Sequence, residues 1–228
     1  MSEIQTPDAL PPASTPGAVR VTLKTAGILL AFVVAFTSLL SVAQQWTRPA
    51  IEASLAAEKM KFINEVLPAG GYDNDLLADT LTLPPTPELG LAEASRVYRA
   101  RLDGKPVALV LEAVAPDGYA GDIRLILGVT AAGEITGVRV VQHKETPGLG
   151  DYIDLKKDKD KQYPWIVQFD GLKYPDVPDE EWKVKKDRGR FYYRTGATVS
   201  PRAVIKAVHR AMQFVVAHQA RLFEEATP

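Results

Sequence analysis

Thr195-Gly196-Ala197-Thr198-Val199-Ser200-Pro201 runs straight into a helix-like tail and sets how the second half of the chain is built. It joins hydroxyls and two minimal residues to a helix start. Ser200 predicts an N-cap and Pro201 a first helical position, where a missing N–H would be unpaired anyway. Val204, Val208, Met212 and Val215 then recur at intervals of three or four, which predicts one buried stripe. The unpaired amides and positive end of such a helix point back at Thr198 and favour an anion. Gly196 and Ala197 lack bulk, so a phosphate and the ring system it carries can approach closely. An ordinary capped helix has the same spacing, and the motif alone leaves both readings open.

Upstream of this motif the pattern changes to period two. Arg96 to Leu102 and Pro106 to Val114 flank Asp103-Gly104, a two-residue hairpin signal. Ile123 to Val129 and Ile135 to Val141 flank the turn Ala131-Ala132-Gly133-Glu134, and Ile123, Leu125, Leu127 and Val129 alternate onto one face. About four antiparallel strands followed by a C-terminal helix predict an α+β domain. No internal repeat points to a solenoid.

Further upstream, Ala26 to Ala43 carries no charge and is dominated by Leu, Val, Ala and Phe. As a helix it spans about 27 Å, enough for a bilayer core. Trp46 reads as an interfacial anchor beside Arg48. A cleaved signal peptide is the rival reading, since Arg20 and Lys24 precede the run and Ser41-Val42-Ala43 resembles a cleavage site. The length of the run favours an uncleaved anchor, and charges on both sides leave its orientation undecided. Met1 to about Gly17 reads as a flexible tail rich in Pro, Ser, Thr and Ala. Pro49 to about Val66 reads as a helix with Ile51, Leu55, Phe62 and Val66 on one side, and the proline- and glycine-punctuated stretch to Gly90 as loop with short elements. The expected organisation is a tail over 1–25, a transmembrane helix over 26–46, a juxtamembrane helix and linker over 47–93, and a folded domain over 94–224.

Composition narrows the function. The 228 residues are 46% hydrophobic with a formal net charge of -1, which argues against nucleic acid as a partner. With no cysteine, the chain cannot ligate an iron–sulfur cluster or a zinc–thiolate site, so any electron it carries must ride on an organic cofactor. His143, His209 and His218 are too scattered for a metal site, and His209 and His218 are expected to face solvent or partners. The Asp- and Lys-dense stretch Asp151 to Lys161 reads as a solvated loop or frayed helix. The basic stretch Trp182 to Arg190 reads as a hairpin end over the site.

Thr195-Gly196-Ala197-Thr198 resembles the flavinylation motif of the FMN-binding domain family, written Asp-x-x-Ser/Thr-Gly-Ala-Thr. Two further blocks carry the same resemblance: Gly118-Tyr119-Ala120-Gly121 before the third strand, and His143-Lys144-Glu145-Thr146-Pro147-Gly148-Leu149-Gly150 after the fourth. Trp165, Phe169 and Gly171 extend it, so that it covers about Ala94 to Ala217. The resemblance implies FMN as cofactor, joined through its phosphate to Thr198. One departure is plain: Tyr192 stands where the family motif has its aspartate.

The residue types of these blocks suggest further roles, with a tight strand-to-loop exit as the plain alternative for the 145–150 turn. Thr195, Gly196, Ala197 and Ser200 would line the phosphate. Glu145, Thr146, Gly148 and Leu149 would form a turn whose amides meet the polar edge of the isoalloxazine while Leu149 covers its face. Tyr119 would either stack on a ring or plug the core, and Glu145 either sits beside the flavin or pins the loop.

The family includes subunits of the sodium-pumping NADH:quinone oxidoreductase and of the Rnf-type ferredoxin:NAD oxidoreductase, and Thr-Gly-Ala-Thr followed by Ser-Pro-Arg-Ala-Val is more similar to the latter. What this implies is a single-pass inner-membrane protein with its C-terminal domain on the periplasmic side. Its partners would be other membrane and iron–sulfur subunits, with a flavin transferase acting during maturation. No Gly-x-Gly-x-x-Gly follows a strand, so no nicotinamide site of its own is expected. A flavin-free membrane-anchored adaptor of the same fold and a free-standing exported flavin reductase are the competing functions.

Overall fold

The computed structural model describes residues 16–67 and 70–224. The N-terminal stretch read as a tail therefore lies, through residue 15, outside the described residues. The chain forms two compact units, one ending at Ala56 and one starting at Ala57. In the first, helix α1 (Pro16–Val66) begins and contains Val19–Ile51, a stretch long and apolar enough to cross a membrane. Its apolar side chains, Leu23, Leu30, Phe32 and Leu40 among them, lie exposed within this unit.

In the second unit five strands form an antiparallel meander in the order β1 (Thr80–Leu83), β2 (Ser95–Leu102), β3 (Lys105–Ala115), β4 (Ile123–Thr130) and β5 (Ile135–Gln142). The fold is α+β, with four of the strands falling where alternation predicts them. The fifth, β1, lies in the proline-rich stretch; only four residues long, it is too short for a period to show.

Both faces of the sheet are covered, which explains the unbroken apolar runs in β3 and β4. Leu109, Leu111 and Ala113 point to one side with Ile123, Leu125, Leu127 and Val129, and there they meet helix α2 (Val199–Ala217). Ala203, Val204, Ala207, Val208, Ala211, Met212 and Val215 form the buried stripe of α2. Each fully buried Val, Ile or Met of this kind contributes roughly 1.5–3 kcal/mol relative to exposure. Ala108, Val110 and Ile126 point to the other side and pack with Phe62, Ile63 and Val66 from the last turns of α1. Gly128 and Gly137 are cross-strand partners beneath Val66, and a Cβ on Gly128 would run into the Val66 carbonyl. The Thr136 hydroxyl donates to that same carbonyl. The small pair thus lets helix backbone rest on sheet backbone. A short helix, α3 (Gln219–Phe223), closes the unit with Leu222 buried.

The segment between β5 and α2 contains no further strand. It is a run of single 3-10 turns, Gly150–Ile153, Trp165–Phe169, Asp179–Glu181 and Lys185–Asp187. The stretch Trp182 to Arg190, expected as a hairpin end, holds the last of these turns with Arg188 in the left-handed region at φ 64°, and it is closed by bonds from the Lys185 N–H to the Phe191 carbonyl and from the Phe191 N–H to the Lys183 carbonyl. Asp151 to Lys161 is not a solvated loop either. Asp151, Tyr152, Ile153 and Asp158 are buried, and Asp158 is fully so. Its carboxylate accepts the Trp165 N–H at 2.7 Å and the Asp160 N–H at 2.9 Å, and pairs with Arg194. The exposed lysines around it carry the charge pattern that the sequence shows.

Candidate FMN site

Glu145 joins the three sequence blocks. Its side chain is buried, with Oε1 accepting the Ala120 N–H at 3.1 Å and Oε2 accepting the Ser200 hydroxyl at 2.5 Å. One carboxylate therefore ties the Gly118–Gly121 turn and the 145–150 turn to the first turn of α2. Gly118 and Gly150 make the approach possible: a Cβ on either would lie 2.9 Å from a Glu145 carboxylate oxygen. Of the two roles open to Glu145, the hydrogen bonds favour pinning the loops.

These bonds also relocate the start of α2. Ser200 is not the N-cap, because its hydroxyl is taken by Glu145. The helix begins at Val199, Thr198 occupies the cap position, and no side chain caps the end. Pro201 falls in the third helical position, still within the turn where an N–H has no intrahelical partner. Thr198 is half-buried. Its carbonyl accepts the Arg202 N–H at 3.3 Å, and its Oγ1 accepts from Arg202 Nη1 at 3.4 Å.

The other expected site residues fall as follows. Thr195 and Gly196 are exposed and Ala197 is half-buried. Gly196 sits at φ 88°, with nothing within 4 Å of where a Cβ would be, so the approach to Thr198 is open. The Ala197 carbonyl accepts the Tyr152 hydroxyl at 2.9 Å, which holds the motif to the core. In the 145–150 turn the amides are mostly engaged within the turn itself. Glu145 N–H donates to His143 Nδ1, Gly148 N–H to Asp151 Oδ1, and the Leu149 and Gly150 N–H groups to the Thr146 carbonyl. The expected row of free amides for a ring edge is therefore absent; the Thr146 side chain remains exposed. Leu149 is 56% exposed and Tyr119 71% exposed, so Tyr119 does not plug the core. Both offer apolar surface next to residues that touch Glu145.

Tyr192 is exposed, with Lys185 Nζ 3.6 Å from its ring centroid. That ammonium lowers the phenol pKa through a hydrogen bond and its charge. Asp187, from the segment expected to lie over the site, accepts two bonds from Arg202, Nε to Oδ2 at 2.6 Å and Nη2 to Oδ1 at 2.7 Å. The guanidinium holds the Asp187 carboxyl below the usual carboxylate range. Arg202 is legible in the sequence as the residue four beyond Thr198 on a helix; nothing there pairs it with Asp187. His209 does not face solvent freely. It stacks on Trp182 at 4.9 Å between centroids, with Nε2 2.8 Å from Asp179 Oδ1. Among the described residues, no cluster of His, Cys, Asp or Glu is arranged to hold a metal ion.

The donor set suits a flavin nucleotide. A half-buried hydroxyl stands at a helix start with an arginine and an open glycine beside it, and Leu149 and Tyr119 expose apolar surface nearby. This is an FMN-binding domain: the model of the family described as "FMN-binding domain" matches residues 118–213. Three relatives align over most of the chain, each bearing the name of the G subunit of an ion-translocating oxidoreductase complex. The one from Pseudomonas aeruginosa is 44% identical over 91% of this chain and 95% of its own length. That from Shewanella oneidensis is 42% identical over 87% and 92%, and that from Vibrio cholerae 39% over 88% and 93%. The chain belongs to the family of these subunits.

Tyr152 gives this site an alkaline limit. Burial raises its phenol above the ordinary tyrosine value, with the Arg194 backbone bond acting in the opposite sense. An unfolded chain loses that proton near pH 10 while the folded one keeps it. The stability tied to the protonated phenol is therefore complete below about pH 10 and is lost as pH rises through the folded pKa. Tyr152→Phe is expected to melt lower at about pH 7, by about 1 kcal/mol for its missing hydrogen bond. The gap from wild type should narrow in thermal unfolding as the pH rises past about 10, and a constant gap would contradict the assignment.

Proposed function

We propose that this protein is the membrane-anchored electron-transfer subunit of an ion-translocating ferredoxin:NAD oxidoreductase complex, with FMN joined by a phosphoester to Thr198. The observation that carries the reading is the Glu145 junction. It locks three separated blocks around the start of α2 and takes up the Ser200 hydroxyl, while the half-buried Thr198 keeps its own hydroxyl beside the open space at Gly196. Attachment replaces the phosphorus bond to the leaving group of an activated flavin nucleotide by one to Oγ1, and the leaving group departs with the hydroxyl proton. A flavin transferase would catalyse that exchange.

Bound FMN supplies one- and two-electron transfer. The chain's residues would hold and orient it: Thr198 as the tether, Gly196 and Ala197 as the close approach, and Leu149 and Tyr119 as apolar cover. The apolar stretch of α1 would anchor the chain in the cytoplasmic membrane, with residues 94–224 as the FMN-binding domain on the periplasmic side. A covalent tether suits that side, because a flavin lost there could not be recaptured from a dilute pool. Tethering keeps its local concentration high whatever its redox state. The other subunits of the complex would supply the donor and the acceptor.

Tyr192, in place of the motif's aspartate, keeps a flavin-free adaptor as the second reading. Coexpression with a flavin transferase and ultraviolet inspection of a denaturing gel separates the two. A fluorescent protein band is expected. A dark band would favour the adaptor, and a fluorescent chain that reduces small acceptors without partner subunits would point to a reductase.

A further inference from the structure

We propose that Arg202 binds the phosphate of the attached flavin and that Asp187 is the residue positioning its guanidinium for that contact. The inference rests on Thr198 as the attachment point and deepens that reading.

Residues four apart on a helix share a face, and side chains lean toward the N-terminus, so Arg202 reaches back over Thr198. Its Nη1 lies 3.4 Å from Thr198 Oγ1, at the outer edge of a hydrogen bond. The non-bridging oxygens of a phosphorus bonded to Oγ1 would lie two bonds further out, within reach of the same nitrogen. The guanidinium is not held by this weak contact. It is held by the two-pronged pair with Asp187 at 2.6 and 2.7 Å, which uses Nε and Nη2 and leaves Nη1 aimed at the threonine. Arg202 and Asp187 are both well exposed, and ion pairs of this kind contribute little to stability. What the pair does fix is direction, because a guanidinium clamped on one edge presents the other in a defined orientation.

Of the neighbouring cations, Lys183 and Lys186 act on Asp187 through their charge, and three others have partners of their own. Arg194 pairs with Asp158, Lys206 with Asp117 at 2.9 Å, and Lys185 lies over Tyr192. Arg202 and Asp187 also line a groove of about 570 Å³ along the outer side of α2, together with Trp182, Lys183 and His209. The phosphate end of the cofactor would therefore meet a guanidinium already turned toward its tether.

The test uses the full chain coexpressed with a flavin transferase, as wild type, Thr198→Ala, Arg202→Gln, Arg202→Lys and Asp187→Asn. The labelled fraction is read by intact mass, the ester by its phosphorus-31 resonance, and folding by circular dichroism. Arg202→Gln is expected to fold normally, to label roughly tenfold more slowly for want of one charge-assisted contact, and to shift the phosphorus resonance. Arg202→Lys should restore most of the rate, and Asp187→Asn should shift the resonance in the same direction. A phosphorus resonance unchanged in both Arg202→Gln and Asp187→Asn overturns the contact whatever their labelling rates, and leaves Thr198 as the attachment point. A wild-type chain that stays unlabelled removes the attachment reading and this inference together.

Discussion

Thr198→Ala is expected to abolish covalent flavin completely, while Thr195→Ala and Thr198→Ser retain it. Three hydroxyls lie between Thr195 and Ser200, and the structure distinguishes them. Ser200 is buried and donates to Glu145. Thr195 is exposed on the far side of Gly196, in the turn that precedes the helix. Thr198 stands at the cap position of α2, where no side chain caps the helix end and Arg202 reaches its Oγ1. Serine offers the same nucleophilic oxygen there and requires no change of backbone. The expected loss is total rather than graded, because alanine leaves no atom to esterify. It is measured by fluorescence of the denatured protein, with circular dichroism to show that the variant has folded. Fluorescence surviving in Thr198→Ala but lost in Thr195→Ala would move the tether.

Asp158→Ala should have the largest effect on stability. The carboxylate is fully buried and accepts two backbone N–H groups as well as Arg194. Removing it leaves the Trp165 N–H without its acceptor beneath a cluster of rings, where Tyr152, Trp165, Phe169 and Phe191 meet edge to face or tilted. Breaking a buried charge pair commonly costs about 3–5 kcal/mol. Arg194 is 38% exposed and can turn to water, so roughly 2–4 kcal/mol is the better expectation here. For a unit of this size that corresponds to a drop in melting temperature of roughly 5–15 °C. Asp160→Ala, which removes an exposed carboxylate that accepts the Gln162 and Tyr163 N–H groups, should cost no more than about 1 kcal/mol. Equal melting temperatures for the two variants would show that Asp158 is no keystone.

Thr198 and Asp158 mark what a one-dimensional reading discloses and what it hides. Period two is visible in β4 because Ile123, Leu125, Leu127 and Val129 all face α2. It is visible less clearly in β3, where the end of α1 covers the second face and removes the contrast. The stripe of α2 is plain in the sequence, but the helix starts earlier than its residue types suggest. Ser200 has the right type for a cap, and only the fold brings Glu145, 55 residues away, to claim its hydroxyl. The same limitation hides Asp158. A lone buried carboxylate among lysines looks identical, in one dimension, to a solvated charge run. The donor-rich turn at 145–150 misleads for a local reason: its glycines and carbonyls close on themselves, so its amides are largely engaged before any ligand arrives.

Peptide mapping by mass spectrometry, on the full chain purified from membranes of cells that hold a flavin transferase, addresses the tether itself. Trypsin releases Thr195 to Arg202 as one peptide containing all three hydroxyls. With FMN esterified at Thr198, this peptide is heavier by one FMN less one water, and fragmentation places the addition on that threonine. The same peptide recovered unmodified, or modified at Thr195 or Ser200, would refute the attachment.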